Sequence, residues 1–195
     1  MRIIACITLC IIIASSGALG SNSEEPASNR QDQRFYTEAE ARARAFEEVF
    51  SWKDTLIVVD SGARSELYGS TRHSEGDTIV RLHFALDDSG VLAGVYRIAK
   101  EVGKYAPFEF LVAMGPDLKV KDVIVLTYRE SRGGEVRRNR FLRQYRGKSA
   151  KSPVRLNRDV IGIAGATLSA QAVNRGVKKA LWWAHRVWAP VGAHQ

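Results

Sequence analysis

Residues Gly165-Ala166-Thr167-Leu168-Ser169 combine small side chains with two hydroxyls, a composition suited to holding or esterifying a phosphate. Together with the preceding Ala164, the small residues allow a tight turn and let a bulky ligand approach the backbone. Apolar residues recur at helical spacing from Leu168 onward, which places Thr167 at or near the start of a helix. Free amides and the positive dipole end favour a phosphate at such a place.

The local pattern leaves three roles open for the Thr167 hydroxyl, which could cap the helix, hydrogen-bond a phosphate or be esterified by one. A plain helix cap is the commonest reason for Gly-Ala-Thr before a helix. The segment has neither the spacing of a dinucleotide-binding fingerprint nor that of a P-loop, and it is not a nucleophile elbow. Ser169 is the second candidate hydroxyl.

The N-terminus predicts export. Arg2 precedes an apolar run from Ile3 to Ala14, and Ala18-Leu19-Gly20 suits signal peptidase, so we expect residues 1–20 to be a cleaved signal peptide. An uncleaved membrane anchor is the alternative, although the span is barely long enough to cross a bilayer. Membrane association would follow only in that case. We therefore expect the protein in the periplasm or at the outer face of the cytoplasmic membrane.

The cysteine count restricts the chemistry of the exported chain. Cys6 and Cys10 both lie in the predicted signal peptide, so the mature chain would carry no thiol. This excludes disulfides, thiolate nucleophiles and cysteine-ligated clusters. No histidine has a partner at metal spacing, so we expect no zinc or iron site. A redox protein made from this chain would need an organic cofactor.

The residues after the signal peptide are predicted to form a tether and one domain. Residues 21–34 are polar and are predicted to be a tether, and residues 35–195 are predicted to be a single domain. Thr37-Glu38-Ala39-Glu40 forms a capping box for an amphipathic helix. Its buried face is predicted to run from Ala39 through Ala43, Phe46 and Val49 to Phe50.

The middle of the chain is β-like. Strands are expected at 56–59, 80–84 and 91–99, and turn residues between 108–113 and 120–128 predict a hairpin. The fold class is therefore α+β, a mostly antiparallel sheet flanked by helices, with the last helix beginning at the Gly-Ala-Thr segment.

Charge is concentrated in one segment. The chain of 195 residues has a net charge of +8, and basic residues dominate from Arg129 to Lys151. Phe141, Leu142 and Tyr145 would give this segment an apolar face. A solvated helix surface, contact with a phosphate and docking to an acidic partner all remain open.

Residues 159–181 (DVIGIAGATLSAQAVNRGVKKAL) resemble the FMN-binding domain family, whose members include flavoprotein components of the Rnf complex and of the sodium-translocating NADH:quinone reductase. The similarity continues through 103–112, 125–130 and 141–145. The resemblance implies that Thr167 is joined to FMN by a phosphoester bond, which a separate magnesium-dependent flavin transferase makes from FAD outside the cytoplasmic membrane. Flavin contacts are implied for the segment from Ala164 to Ser169.

Two positions depart from the family pattern, which has Asp six residues before the threonine and Ser or Thr three before it. This chain has Ile161 and Ala164 at those positions, and its nearest acidic residue, Asp159, lies two positions before Ile161.

The resemblance implies an electron carrier that exchanges electrons with redox partner proteins at the membrane, rather than an enzyme with catalytic residues of its own. A basic exported module that docks on an acidic partner without flavin is the alternative, and an FMN-dependent reductase ranks last. Nucleic acid is disfavoured as a partner by the export signal.

The physical case for tethering a flavin outside the membrane is independent of the family. A flavin that dissociates there is lost by dilution, whereas tethering replaces a dissociation equilibrium by a high local concentration. Arginines of the segment 129–151 near the ring or phosphate would favour anionic reduced flavin. Potentiometry of Arg-to-Ala variants tests this hypothesis, and an unchanged midpoint potential would end it.

Overall fold

A six-stranded sheet forms the centre of the fold, and each pair of neighbouring strands runs antiparallel. The order across the sheet is β1-β6-β5-β4-β3-β2. The strands are β1 (Gln33–Arg34), β2 (Ser51–Val58), β3 (Ile79–Leu86), β4 (Leu92–Val102), β5 (Pro107–Met114) and β6 (Val120–Tyr128). The computed structural model describes residues 33–46, 49, 51–68 and 78–192, so the predicted signal peptide and the tether up to residue 32 lie outside the described residues.

In the part of the chain that the structure describes, four helices accompany the sheet: α1 (Glu38–Ala45), α2 (Ser61–Tyr68), α3 (Asn139–Leu142) and α4 (Thr167–Gly192). Single 3₁₀ turns flank α3, at Gly134–Arg137 and Arg143–Tyr145. The predicted α+β class is confirmed, and so is the start of the last helix at the Gly-Ala-Thr segment. Among the described residues, no helix is both long enough and apolar enough to span a bilayer.

Helix α4 covers one face of the sheet. The apolar residues predicted at helical spacing are buried from Ala172 through Ala184, whereas the first, Leu168, is exposed and the last, Trp188, is partly buried. The Cβ of an added side chain at Gly176 would lie 2.4 Å from Phe110 Cζ, so this glycine allows the helix to pack closely on β5. Burial of this continuous apolar surface is the main contribution that holds α4 on the sheet.

Helix α1 covers the opposite face and differs from its prediction. The capping box is confirmed, because Glu40 N–H donates to Thr37 Oγ1 while the Glu40 carboxylate accepts from Thr37 N–H. The buried alanines, however, are Ala41 and Ala45 rather than the predicted pair, Ala39 and Ala43.

The end of α1 is also earlier than predicted. The helix stops at Ala45, and Phe46 is extended (φ −134°, ψ 106°). In that conformation the Phe46 ring packs on Gly94, where an added Cβ would meet it at 2.5 Å, and edge-on against Trp52. Tertiary packing of this aromatic ring therefore overrides the helical spacing that continues to Phe50, which itself lies outside the described residues.

The strands largely follow the expected segments. The hairpin of β5 and β6 is confirmed, with Leu111 opposite Ile124. Strand β2 begins at Ser51, five residues before the predicted start, and pairs with β3 along its whole length. Gln33 and Arg34, the last two residues of the predicted tether, form β1 against Thr127 and Tyr128.

The basic segment folds as short helical turns over one edge of the sheet. Phe141, Leu142 and Tyr145 are buried as predicted. Backbone hydrogen bonds from Gly147 N–H to Val120 O (2.8 Å) and from Val120 N–H to Lys148 O (2.8 Å) fix its far end to β6. Most of its arginines are exposed.

Candidate functional site

The Gly-Ala-Thr segment forms a tight turn followed at once by α4. Ala166 N–H donates to Ile163 O (3.0 Å), and Gly165 has a φ of 79°. Only the third residue of this turn is left-handed, which is the signature of a type II turn and the reason for glycine at this position. Ala166 O then accepts from Ala170 N–H (2.9 Å), so Thr167 is the first residue inside the helix.

The two candidate hydroxyls have different environments. Thr167 is exposed, and no hydrogen bond of its side chain is found among the described residues. Ser169 is buried and lies 2.9 Å from the Tyr128 hydroxyl. The Thr167 side chain is therefore accessible from solvent, whereas Ser169 Oγ takes part in a buried hydrogen bond.

A buried clamp fixes the start of α4 to the loop that follows β6. Tyr128 Oη donates to Arg132 O (2.8 Å) and accepts from Ser169 Oγ. Burial raises the pKa of Tyr128, so its hydroxyl stays protonated and remains a donor at neutral pH. Gly133, with φ 84°, lies against this pair, since an added Cβ would meet Tyr128 Oη at 2.7 Å and Ser169 Oγ at 3.1 Å.

An open depression of about 470 Å³, here called the motif cleft, lies between this loop and the turn before α4. Its lining includes Ala164 and Gly165 from the turn, and it includes three arginines of the basic segment. The full lining consists of Gln33, Tyr128, Glu130, Ser131, Arg132, Gly133, Gly134, Glu135, Arg137, Arg138, Ala164 and Gly165. The volume is within the range of small-molecule sites.

Several arginines of the basic segment do not line the motif cleft. Arg146 instead lies 3.2 Å from Asp122 Oδ1, and the cleft lining contains only Arg132, Arg137 and Arg138 from that segment. Of the arginines between residues 129 and 151 that the sequence suggests for contact with a phosphate or flavin ring, only these three line the motif cleft.

Glu130 and Gln144 support the site, although no role was predicted for either from the sequence. Glu130 Oε1 accepts from the backbone amides of Tyr105 (2.6 Å) and Ala106 (3.0 Å) and so holds the turn between β4 and β5 beside the cleft. The Gln144 side-chain amide bonds to both backbone groups of Ile161, at 2.8 and 3.2 Å. Both residues lie in segments that resemble the FMN-binding domain family, 125–130 and 141–145, and that resemblance is the signal that could have found them. The adjacent glycines at 133 and 134 could also have marked the cleft.

The departures from the family pattern have structural counterparts. Asp159 accepts from Arg155 N–H (3.0 Å) and pairs with the Arg155 side chain (3.4 Å), so its carboxylate closes its own turn. Ile161 is exposed, and Ala164 is exposed at the second position of the turn. The described contacts of Asp159 do not include Thr167.

His83 lies in strand β3, away from the motif cleft. This strand position is as predicted, with His83 Nδ1 at 2.7 Å from Asp54 Oδ1 and the His83 ring stacked on Tyr96 at 4.3 Å. Within the described ranges, no group of three or more His, Cys, Asp or Glu residues could hold a metal ion.

Comparison with protein families identifies the domain that contains this site. Residues 103–182 match the model of the FMN-binding domain. The resemblance inferred from the motif is thereby confirmed. The matched residues include the start of α4 and every lining residue of the motif cleft except Gln33.

Two solved structures are similar to this chain. The NqrC structure from Shewanella oneidensis has a TM-score of 0.48 and 20% sequence identity, and the match covers 66% of this chain and 77% of that one. A component of the Na⁺-translocating NADH-quinone reductase from Parabacteroides distasonis has a TM-score of 0.47 and 15% identity, with 75% of this chain and 81% of that one covered. No curated protein matches this chain.

The residues around the motif cleft fit an FMN group. Three arginines against the two carboxylates of Glu130 and Glu135 leave the lining with a net positive charge for a phosphate, and the start of α4 adds its dipole and free amides. Gly133, Gly134 and Gly165 present backbone without side chains, so a flat ring can approach closely. Thr167 follows the cleft-lining turn with a gap of one residue.

Proposed function

We propose that this protein is an exported electron carrier whose FMN is attached through its phosphate to Thr167. The observation that carries the proposal is the match of residues 103–182 to the FMN-binding domain, with Thr167 exposed at the first position of α4. FMN supplies the redox chemistry, and the protein supplies attachment, orientation and electrostatics.

The chain has a defined part in attachment. A phosphoester bond forms between Thr167 Oγ1 and the phosphorus of the FMN half of FAD, while the P–O bond to the AMP half breaks. AMP leaves, and the proton of the threonine hydroxyl is released. This group transfer requires a separate flavin transferase, and it requires a hydroxyl that the transferase can reach. The exposure of Thr167 and the burial of Ser169 favour the threonine.

The side chains of the motif cleft would then hold the attached group. Arg132, Arg137 and Arg138 attract the phosphate or an anionic reduced ring, because each places a permanent positive charge on the cleft lining. The buried clamp of Tyr128 and Ser169 keeps the loop against α4, so these arginines stay near the attachment point.

The attachment is tested by expressing the chain with a flavin transferase and searching for flavin fluorescence in the denatured gel band. Intact mass should increase by one FMN less water. Thr167→Ala should abolish both signals, Thr167→Ser should retain them in part, and Ser169→Ala should retain modification with reduced stability. An unmodified wild-type chain under these conditions would refute covalent attachment, and loss in Ser169→Ala alone would identify the other hydroxyl.

The location is a second part of the proposal. Support comes from the apolar run from Ile3 to Ala14 and from the absence of cysteine after Cys10. Cell fractionation combined with intact mass is the measurement, and a mature chain that begins at Ser21 in the exported fraction is the expected result. A full-length chain in the cytoplasmic fraction would contradict export.

A further inference from the structure

A second depression borders the FMN site and is not accounted for by flavin binding. This depression, the arginine groove, has a volume of about 430 Å³ and lies along the β6 segment from Val123 to Val125. Phe35, Tyr36, Arg44 and Arg137 are among its lining residues. None of the lining residues is a carboxylate.

The positive charge of the arginine groove is only partly offset by a neighbouring carboxylate. Asp122, which is not a lining residue, lies 3.9 Å from Arg44 and 3.2 Å from Arg146, so two guanidinium groups share one carboxylate. Arg44 also donates to the Tyr36 hydroxyl (2.9 Å), and its side chain is 46% exposed. These contacts hold the Arg44 side chain in place while leaving it accessible to a partner.

The arginine groove borders the motif cleft, and the two depressions share one lining residue. Arg137 lines both depressions, and its guanidinium lies 4.4 Å from the centre of the Phe35 ring. A molecule seated in the arginine groove would therefore lie beside the FMN site. Aromatic residues and arginine are the types enriched at the centres of protein interfaces.

We propose that the arginine groove docks an acidic redox protein, whose carboxylates pair with Arg44 and Arg137 while its redox centre faces the motif cleft. This inference rests on the proposed function, because it assigns the partner class of the same flavin site. The occupant is a protein whose redox centre is surrounded by acidic residues.

Two other occupants are disfavoured by charge and composition. Segments that bind anionic bilayers typically carry clusters of about four to eight cations, whereas the lining of the arginine groove has two, Arg44 and Arg137. A second copy of this chain would carry the same net charge of +8 and be repelled.

The test measures electron transfer from a reduced plant-type ferredoxin, a small acidic iron–sulfur protein, to the flavin-loaded full chain. In each encounter the reduced cluster loses one electron and the flavin gains it. Stopped-flow absorbance gives the second-order rate constant at several salt concentrations. Calorimetric titration with oxidised ferredoxin measures docking without electron transfer, and so it reports on the arginine groove even if no flavin is attached.

Two matched pairs of variants isolate the groove. Arg44→Gln and Arg81→Gln each remove one positive charge, but Arg81 is an exposed residue of β3, which β4 and β5 separate from β6. Asn139→Glu and Asn139→Gln place a charged and a neutral side chain at one groove position. We expect the rate constant and the binding constant to fall about threefold or more in Arg44→Gln and Asn139→Glu, and less than twofold in the two controls.

The outcomes separate this inference from the proposed function. Equal effects of Arg44→Gln and Arg81→Gln, or rates that do not depend on salt, would overturn the docking site while leaving the flavin carrier intact. Binding to phosphatidylserine vesicles that Arg44→Gln abolishes, without any ferredoxin binding, would assign the groove to a membrane and also overturn the proposal. Missing flavin with normal, Arg44-dependent ferredoxin binding would refute the carrier and support the docking surface.

Discussion

Gly133 shows how a single backbone position connects the motif cleft to the rest of the fold. It is left-handed, with a φ of 84°, and it lies directly against the hydroxyls of Tyr128 and Ser169. Any side chain there meets two obstacles, an unfavourable backbone conformation and a filled space. The loop can therefore approach α4 closely only because this residue has no Cβ.

Gly133→Ala should lower the free energy of unfolding by about 2–4 kcal/mol, because about 1–2 kcal/mol of backbone strain adds to the steric contact. It should also reduce flavin content by loosening the motif cleft. Denaturant titration and flavin absorbance are the measurements.

Gly90→Ala is the matched control, since Gly90 has a φ of 77° and an added Cβ would meet nothing within 4 Å. It should lose only the strain contribution and retain its flavin. Equal losses in the two variants would show that the packing of Gly133 against the clamp contributes nothing.

At the scale of elements, helix ends that depend on neighbouring residues are predicted correctly from the sequence, whereas buried faces that depend on tertiary packing are not. The Thr37 capping box and the start of α4 depend on neighbouring residues, and both are visible in the sequence. The buried face of α1 depends on how the sheet receives it, and alanines at 39, 41, 43 and 45 make two faces equally plausible. The motif cleft joins residues about 30 positions apart, and no spacing rule connects Arg132 with Gly165.

Gly176 illustrates the same competition within α4. Alanine is preferred to glycine inside a helix by about 1 kcal/mol, so local propensity favours Gly176→Ala. Tertiary packing opposes it, because the new Cβ would lie 2.4 Å from Phe110 Cζ and 3.0 Å from Ala99 Cβ, and both neighbours are fully buried. We expect a net loss of about 1–2 kcal/mol in the free energy of unfolding, measured by urea titration.

The cause of that loss can be isolated with a double-mutant cycle. Phe110→Leu removes the ring atom that the new Cβ would meet, so Gly176→Ala should cost less in that background than in the wild type. A stability of Gly176→Ala at or above the wild-type value would mean that α4 moves away from β5 without cost.

At the scale of the whole molecule, both faces of the sheet enclose ionisable tyrosines. Burial is the largest cause that raises the pKa of Tyr96 on the α1 side, with a contribution from the neighbouring Glu38 carboxylate. Burial also raises the pKa of Tyr145 on the α4 side. These hydroxyls stay neutral in the folded protein at a pH where the unfolded chain ionises them, so global unfolding is linked to alkaline pH.

The sign of this linkage follows from proton counting. Above about pH 10 the unfolded chain loses the tyrosine proton while the folded protein keeps it, so each such tyrosine lowers the free energy of unfolding by about 1.4 kcal/mol per pH unit. The stabilising contribution of such a tyrosine is complete below that pH and is lost as the pH rises toward the folded-state pKa.

Tyr145→Phe should therefore reduce the slope of the free energy of unfolding against pH by about 1.4 kcal/mol per pH unit between about pH 10 and pH 12, measured by urea titration at each pH. The variant will be less stable at every pH, because Asn174 Oδ1 loses the donor hydroxyl, but the slope is independent of that offset. An unchanged slope in Tyr145→Phe would show that this hydroxyl ionises in the folded protein as readily as in the unfolded chain.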